Sequence, residues 1–283
     1  MQAREVWKPN DEMCLAHSAV KSMLWLYDGL PSTTGGLPGG STFLHAKRHA
    51  DQRHVVQADI RSAFAQVDTD VLIDRALDFY HPGYDDVADR SDYLAFLIGR
   101  HCVMEGAGLY MGGPASNLLF DIYARPMDQD IARFCSEHDI TYTRYIDDLA
   151  FSRPDSGRLE VDVIGRGTRR SLWSIAESHG LPVQPKKIRV DDLADGPVTI
   201  VGMQLNPSGN VQIPTRSLRQ IPRIVEDSLG LPVDELAAIV AGYIGYLKSS
   251  RDESRIGRLQ TNDYYRTLAF LEAIHKKATA GGV

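Results

Sequence analysis

The chain has 283 residues, of which 43% are apolar and 24% charged, and this globular composition excludes an intrinsically disordered protein. No apolar run approaches the ~20 residues of a membrane helix, and the charged N-terminus lacks a secretory signal, so we expect a cytoplasmic protein with no membrane partner. The net charge of −6 by itself argues against nucleic acid, because non-specific binders usually carry a basic stripe, and local clusters of charge must decide.

The first half of the chain is predicted to form helices around one buried strand. Residues 13–27 have helical spacing, and residues 30–42 are dense in Gly, Pro, Ser and Thr, which predicts a loop. Residues 54–60 predict a short buried strand, with Asp59 at its end. Residues 70–80 and 91–102 again have helical spacing.

The second half is predicted to mix strands with longer helices. A helix that Pro126 bends covers residues 116–135, and residues 140–152 alternate enough to form two strands around a tight turn. Gly180 is expected to cap a helix at residues 166–179. The remaining predicted elements are a strand at 186–190, a hairpin at 197–214 that turns at 207–210, and helices after residue 215, clearest at 234–248 and 263–277.

Asp147 and Asp148 form an acidic pair at the predicted turn. A solvated turn is the ordinary interpretation of such a pair, because Asp favours turns. Here Tyr145 and Ile146 precede the pair and Leu149 follows it, so packed strands would hold the carboxylates rigidly at a cleft. Adjacent like charges are unfavourable unless a cation offsets them, and Mg²⁺ prefers hard oxygen ligands. The pair is therefore a candidate metal site.

Asp59 supplies another carboxylate from the end of a different strand. Two-metal phosphoryl transfer needs carboxylates from separate strands that converge on ions ~3.5–4 Å apart. A strand-end Asp together with an Asp-Asp turn is the minimum set of ligands for that chemistry. The residues between these two acidic sites decide whether they belong together.

The segment GLYMGGPASNLLFDIY at residues 108–123, with YTRYIDDLAFS after it, resembles the reverse transcriptases, most closely their bacterial retron-type and defence-associated members. The family's motifs recur in order, with the first Asp motif at residues 59–64, the Gly-rich helix start at 108–116 and the Asp-Asp turn at 145–148. Residues 180–188 are similar to the next motif. Residues 201–205 are similar to the hairpin that grips the primer end.

The resemblance extends upstream and so covers nearly the whole chain. Arg4, Val6 and Pro9 resemble the Arg-x-Ile-x-x-Pro opening of retron-type fingers. Residues 45–49, HAKRH, are similar to the family's Asn-Ala-x-x-His element, with His45 in place of Asn.

Two departures from the family pattern concern the Gly-rich motif and the fingers loop. Met111 stands where the family has a Gln beside the incoming nucleotide, and Asn117 stands where Pro is common. Reverse transcriptases of diversity-generating elements also replace that Gln by an aliphatic residue. The loop at residues 35–42 lacks the Arg that often follows Gly in retron-type fingers.

The resemblance implies a metal site and a nucleotide site. The implied metal-binding residues are Asp59, Ile60, Asp147 and Asp148. Asp59 and Asp147 would bind two Mg²⁺ ions, for which Mn²⁺ could substitute, and Asp148 would be a weaker ligand. Phe64 would exclude a 2′-hydroxyl, although its ordinary interpretation is a core aromatic residue. The implied nucleotide-binding residues are Arg61, Ser62, Ala63, Phe64, Met111, Gly112, Ser116 and Lys186.

Several basic and turn residues have two open interpretations. Lys186 or Lys187 would meet the phosphates or donate a proton to pyrophosphate, or would form a solvated face. Gly202 and Met203 would grip the primer, or merely close a sheet. A further set would bind RNA, or form a solvated helix face, namely Arg216, Arg219 and Arg223. Arg4 would contact the triphosphate from the fingers.

We therefore expect an α/β (α+β) right-hand polymerase. Compact fingers would cover residues 1–54 with part of 65–105, an antiparallel palm 55–214, and a helical thumb 215–283. The expected activity is RNA-directed DNA synthesis from deoxynucleoside triphosphates, copying a dedicated non-coding RNA into a DNA product in an anti-phage defence or retron-like system. An effector protein or self-assembly would supply specificity. The alternatives are a catalytically reduced RNA-binding scaffold and a polymerase that extends without a conventional template.

Overall fold

Helices and short antiparallel strands alternate along the chain. The structure, a computed structural model, describes residues 9–80, 90–155, 159, 163, 165, 171–249 and 262–279. The helices are α1 (Asp11–Met23), α2 (Thr42–Lys47), α3 (Thr69–Leu77), α4 (Ser91–Leu97), α5 (Ser116–Glu137), α6 (Leu172–Ser178), α7 (Thr215–Asp227), α8 (Val233–Ser249) and α9 (Asn262–Thr279). The strands are β1 (His54–Asp59), β2 (Val103–Met104), β3 (Gly108–Leu109), β4 (Thr141–Tyr145), β5 (Asp148–Arg153), β6 (Arg189–Asp192), β7 (Val198–Ile200), β8 (Met203–Leu205) and β9 (Val211–Gln212). The predicted α+β class with antiparallel sheets is confirmed.

The chain divides into two compact units. The first comprises Met1–Gly40 and Gln52–Asp192, and the second comprises Ser41–Asp51 and Leu193–Val283. The predicted fingers, palm and thumb have boundaries that differ from those of the two units, and their assignment stays a prediction. Within the described residues, no helix combines the length and apolar content needed to cross a membrane.

A four-stranded antiparallel sheet lies at the centre of the first unit, in the order β4-β5-β1-β6. Five of the six residues of β1 are buried, as expected for an inner strand rich in Val and Ala. Strand β6 forms one edge of the sheet, and its Val190 side chain is exposed. The predicted strand ending at Asp59 and the predicted pair of strands around the Asp-Asp turn are confirmed.

Helix α5 supplies a large part of the core beside this sheet. Its apolar side chains recur at helical spacing and are completely buried, among them Leu119, Phe120, Ile122, Met127 and Ile131. The helix continues through Pro126. One carbonyl in the turn before this proline, that of Tyr123, accepts a hydrogen bond from the Arg75 guanidinium on α3. The carbonyl that loses its donor to Pro126 is that of Ile122, so the Arg75 contact supports the neighbouring carbonyl and does not replace the missing hydrogen bond.

A three-stranded sheet, β7-β8-β9, and helices α7 to α9 belong to the second unit. Two turns organise the sheet. The predicted turn at residues 207–210 is confirmed, since the Asn206 amide donates to the Asn210 carbonyl at 2.9 Å. A second, unpredicted turn joins β7 to β8 through Val201 and Gly202, both left-handed with φ of 43° and 78°, as in a type I′ hairpin.

Helix boundaries follow local capping signals. Asn10 accepts from the Met13 amide at 2.8 Å and starts α1, and that helix ends at Met23, earlier than the predicted residue 27. Ser171 forms a capping box at the start of α6, and the left-handed Gly180 follows the end of that helix as predicted. The predicted start of that helix, residues 166–170, lies outside the described residues. The short helix α2, capped by Ser41, was not predicted.

Candidate active site

The first unit brings three acidic residues to one end of its central sheet. Strands β1 and β5 are antiparallel, and their register places Asp59 directly opposite Asp148. Asp147 lies in the turn between β4 and β5, and its carbonyl accepts from the Ile60 amide at 2.9 Å. Because the end of β1 meets the start of β5, residues almost ninety positions apart in sequence become neighbours. The predicted convergence of the two acidic motifs is therefore present in the backbone.

The turn that carries Asp147 has an unusual backbone. Ile146 is left-handed, with φ of 57°, a conformation that is strained for a β-branched residue and is found where the surroundings enforce it. One of those surroundings is the Gly-rich loop. A Cβ on Gly35 would lie 2.7 Å from the Tyr145 ring, so only glycine allows the loop to pack against the turn.

Two cations lie beside the three carboxylates. The Lys187 Nζ lies 2.6 Å from Asp59 Oδ2. The pKa of Asp148 is raised to about 6, mainly by burial and then by repulsion from Asp147 and Asp59, while Lys187 and Arg189 oppose the rise. A bound cation would offset the repulsion among these like charges and favour the ionised carboxylates.

The donor set fits a hard divalent cation in its chemistry, although the side chains are not gathered into a ready-made cage. Among the described residues, no group of three His, Cys, Asp or Glu side chains has metal-binding geometry. Asp59 is instead turned to the Lys187 ammonium. Asp59, Asp147 and Asp148 would hold the ions, and Asp59 would exchange its ammonium partner for a metal.

The predicted nucleotide-binding residues after Asp59 form a tight structure. Ser62 is left-handed, with φ of 51°, and precedes a 3₁₀ turn at Ala63–Gln66. Phe64 is half-buried, and its ring lies 5.3 Å from that of Phe120. Gly108 has φ of 73°, and a Cβ there would come within 2.1 Å of the Phe64 carbonyl, so β3 packs on this turn only through glycine. Arg61 is exposed, and its amide donates to the Pro182 carbonyl at 2.8 Å.

The predicted Gly-rich motif leads into α5. Met111 is half-buried, Gly112 is exposed with φ of 94°, and Ser116 is buried at the first position of the helix. Asn117, the departure from the family pattern, is exposed on that helix. The roles implied for these residues stay predictions.

His17 holds the start of α5 and was not predicted from the sequence. Its Nδ1 accepts from the Ala115 amide at 3.1 Å, so Nε2 carries the proton and donates to the His101 carbonyl, also at 3.1 Å. Burial lowers the pKa of His17, which keeps the ring neutral and the acceptor available. A Cβ on Gly113 would lie 2.6 Å from the His17 ring. The sequence signal was only a His within an apolar helical stripe.

The remaining predicted residues belong to the second unit or to undescribed residues. Gly202 forms the β7–β8 turn, and Met203 is buried with its Sδ 3.7 Å from the Tyr246 hydroxyl. The three arginines predicted to bind RNA are all exposed on α7, and Arg219 pairs with Asp263 at 3.2 Å. Arg4 lies outside the described residues. The primer-grip and RNA-binding roles stay predictions.

Comparison with known proteins identifies the same family as the motifs in the sequence. Residues 16–205 match the family described as reverse transcriptase (RNA-dependent DNA polymerase). The retron Ec83 reverse transcriptase of Escherichia coli is 27% identical over 141 residues, which are 47% of this chain and 41% of that protein. Apo telomerase from Candida tropicalis has a similar fold, with a TM-score of 0.51 and 11% identity over 95% of this chain and 49% of that chain. The predicted resemblance to retron-type reverse transcriptases is confirmed.

Proposed function

The chain belongs to the reverse transcriptase family, and we propose that it is an RNA-directed DNA polymerase that adds deoxynucleotides to a 3′ end with Mg²⁺. The observation that carries the proposal is the register of β1 and β5. That register faces Asp59 with Asp148, and Asp147 lies in the adjoining turn. Retention of all three carboxylates favours an enzyme over a scaffold that has lost its metal ligands.

The acidic residues divide the work of the site. Asp59 and Asp147 would hold two Mg²⁺ ions, which Mn²⁺ could replace, and Asp148 would be a weaker ligand. When bound, a pair of such ions lowers the pKa of the primer hydroxyl and stabilises charge on the triphosphate. The two carboxylates across the β1–β5 pair come from strands with fixed register, so their backbone positions are set before the substrate arrives.

Residues next to the carboxylates select and orient the nucleotide. Phe64 follows Asp59 on a turn clamped by Gly108, and its half-exposed ring closes the space that a ribose 2′-hydroxyl would need. Lys187 is the cation in contact with the site, so it takes the phosphate or proton-donor role that the sequence assigned to Lys186 or Lys187. Gly112 and Ser116, at and just before the start of α5, would let the backbone approach the nucleotide closely.

The proposed template is a dedicated non-coding RNA, as in a retron-like or anti-phage system. Support comes from the similarity to the retron Ec83 reverse transcriptase. The exposed arginines of α7 offer a surface for RNA phosphates. An effector protein or self-assembly would add the specificity that this acidic chain lacks.

The test is incorporation of labelled deoxynucleotides on an RNA template with a DNA primer and Mg²⁺. Changing Asp147→Ala and Asp148→Ala together should lower the rate on the order of a thousandfold or more, since metal ions supply several kcal/mol of charge stabilisation. The matched control is Glu226→Ala with Asp227→Ala, an adjacent exposed acidic pair at the end of α7, which should keep the wild-type rate.

Each outcome has a definite meaning. Undiminished incorporation by the Asp147/Asp148 variant would place the chemistry elsewhere. A wild-type protein that binds RNA but never incorporates nucleotides would favour the scaffold. Incorporation that needs no RNA template would favour a polymerase that extends without one. Sequencing the nucleic acid that copurifies with the protein identifies the template.

A further inference from the structure

A fully buried charge cluster lies directly behind the Asp-Asp turn. Arg144 on β4 and both Asp121 and Asp128 on α5 have side chains no more than 1% exposed. The Arg144 Nη2 lies 2.6 Å from Asp121 Oδ1 and 2.6 Å from Asp128 Oδ2. Its Nε lies 2.9 Å and 3.0 Å from the two oxygens of Asp128.

Two tyrosines complete this cluster. The Tyr142 hydroxyl donates to Asp128 Oδ1 at 2.6 Å, and the Tyr27 hydroxyl donates to Asp121 Oδ2 at 2.6 Å. Burial raises the pKa of Asp121, and the Arg144 charge opposes that rise. The carboxylates are thus held by charge-assisted hydrogen bonds on several sides, and they fix the plane of the guanidinium.

The remaining guanidinium nitrogen reaches the turn. Arg144 Nη1 donates to the Ile146 carbonyl at 2.8 Å. Ile146 is the left-handed residue, and its carbonyl belongs to the peptide that leads into Asp147. The Arg144 backbone is also fixed, since its amide donates to Ser32 at 2.9 Å and its carbonyl accepts from Thr34 at 2.8 Å.

We propose that Arg144 is a positioning residue: anchored by Asp121 and Asp128, it fixes the peptide between Ile146 and Asp147 and thereby aims the Asp147 carboxylate. A cluster of buried charges is rarely the most stable solution, because apolar residues of similar volume often do as well or better. Its retention behind a strained turn is explained by the direction that it gives to that turn. The inference rests on the proposed polymerase function, in which Asp147 is a metal ligand.

The test uses Arg144→Lys, which keeps the charge but loses the planar fork. Its matched control is Arg75→Lys, since Arg75 also contacts α5, through the Tyr123 carbonyl and ring, without contacting the turn. Three quantities are measured: the incorporation rate, Mn²⁺ affinity by electron paramagnetic resonance without nucleotide, and the thermal midpoint. Arg144→Lys should weaken Mn²⁺ binding and lower kcat by about 10- to 100-fold, the usual effect of disturbing a residue behind a metal ligand. Arg75→Lys should alter only stability.

A compensated variant separates positioning from simple stabilisation. Arg144→Met combined with Asp121→Asn and Asp128→Asn removes the unpaired charges, so the thermal midpoint should recover relative to Arg144→Met alone, while Mn²⁺ affinity and kcat stay low. Recovery of all three quantities together would mean that Arg144 only stabilises the fold and would overturn the inference.

The outcomes also separate this inference from the proposed function. A wild-type protein that binds Mn²⁺ yet incorporates no nucleotide contradicts the polymerase, and an Mn²⁺ affinity lowered by Arg144→Lys but not by Arg75→Lys still supports positioning. Equal Mn²⁺ affinities in wild type and Arg144→Lys overturn the inference, as does a wild-type protein that binds no Mn²⁺.

Discussion

The adjacent residues Lys186 and Lys187 differ in their contacts: only Lys187 is in contact with Asp59, and Lys186 lies on an exposed surface. Lys187 Nζ lies 2.6 Å from Asp59 Oδ2, with its side chain still about half exposed, whereas Lys186 is exposed in the middle of the 3₁₀ turn Pro185–Lys187. The sequence alone left the two residues equivalent. The ion pair favours Lys187 for the proposed phosphate or proton-donor role, because it places the ammonium in contact with Asp59, a proposed metal ligand.

Lys187→Met should therefore act differently from Lys186→Met. We expect Lys187→Met to lower kcat by about 10²-fold, the lower end of the range for a lost general acid. The Mg²⁺ concentration for half-maximal activity should fall as well, because the ammonium that competes for Asp59 is gone. Steady-state kinetics over a range of Mg²⁺ measures both quantities, with Lys186→Met as the control. Equal effects of the two substitutions would show that Lys187, like Lys186, is only part of a solvated face.

At the scale of the element, α7 shows how a neighbouring helix compensates for a proline. Pro222 lies inside α7, so the carbonyl four residues earlier, that of Leu218, loses its intrahelical donor. The buried Thr267 hydroxyl on α9 donates to that carbonyl at 3.3 Å. Helices α7 and α9 are thus joined by a hydrogen bond to the carbonyl that Pro222 leaves without an intrahelical donor.

A double-mutant cycle tests this compensation. Thr267→Val leaves a buried carbonyl without a donor and should cost about 1–3 kcal/mol in free energy of unfolding. In a Pro222→Ala background the new Ala amide can reach Leu218, so the same Thr267→Val change should cost much less. Urea unfolding of the four proteins gives the coupling energy. Identical costs in both backgrounds would show that the Thr267 hydroxyl does not compensate for the proline.

The elements that local pattern determines were predicted, and those set by tertiary contacts were not. The strand ending at Asp59, the Asp-Asp hairpin and helices α7 to α9 follow from apolar periodicity and turn residues. The residue pattern did not predict the β7–β8 turn, because Val201 is β-branched and such residues favour strands. In the structure Val201 nevertheless adopts a positive φ. Helix α2 is only six residues long and depends on its Ser41 cap.

The whole molecule determines the surroundings of the site. The sequence identified the three acidic residues, since each stands in a recognisable motif. It could not show that Arg144 lies behind the turn, that His17 holds the start of α5, or that Lys187 contacts Asp59. These contacts join residues that lie between 16 and 128 positions apart. Such contacts depend on which helix packs on which strand. By contrast, the basic helix in this acidic chain could be predicted from the sequence, because it depends only on the composition and the helical period.

The tension between a net charge of −6 and a nucleic-acid partner is resolved by local charge. Arg216, Arg219 and Arg223 are spaced i, i+3 and i+7 on α7, and all three are exposed, opposite the buried Leu218 and Ile221. Arg219 is partly engaged, since its Nε lies 3.2 Å from Asp263 Oδ2. An exposed pair of this kind is weak, so an RNA phosphate can compete for the guanidinium.

Replacing Arg216, Arg219 and Arg223 with Gln should therefore weaken RNA binding most at low salt. Three phosphate contacts contribute about −2 to −3 to the slope of log affinity against log salt, and the variant should lose that part of the slope. Filter binding at several salt concentrations measures the slope. The control carries the same change in charge at exposed residues elsewhere, Lys21→Gln, Arg133→Gln and Lys277→Gln, of which Arg133 also has an acidic partner, Asp130 at 3.2 Å. If both variants flatten the slope equally, the net charge of the chain governs binding, whereas an unchanged slope in the α7 variant moves the RNA surface away from this helix.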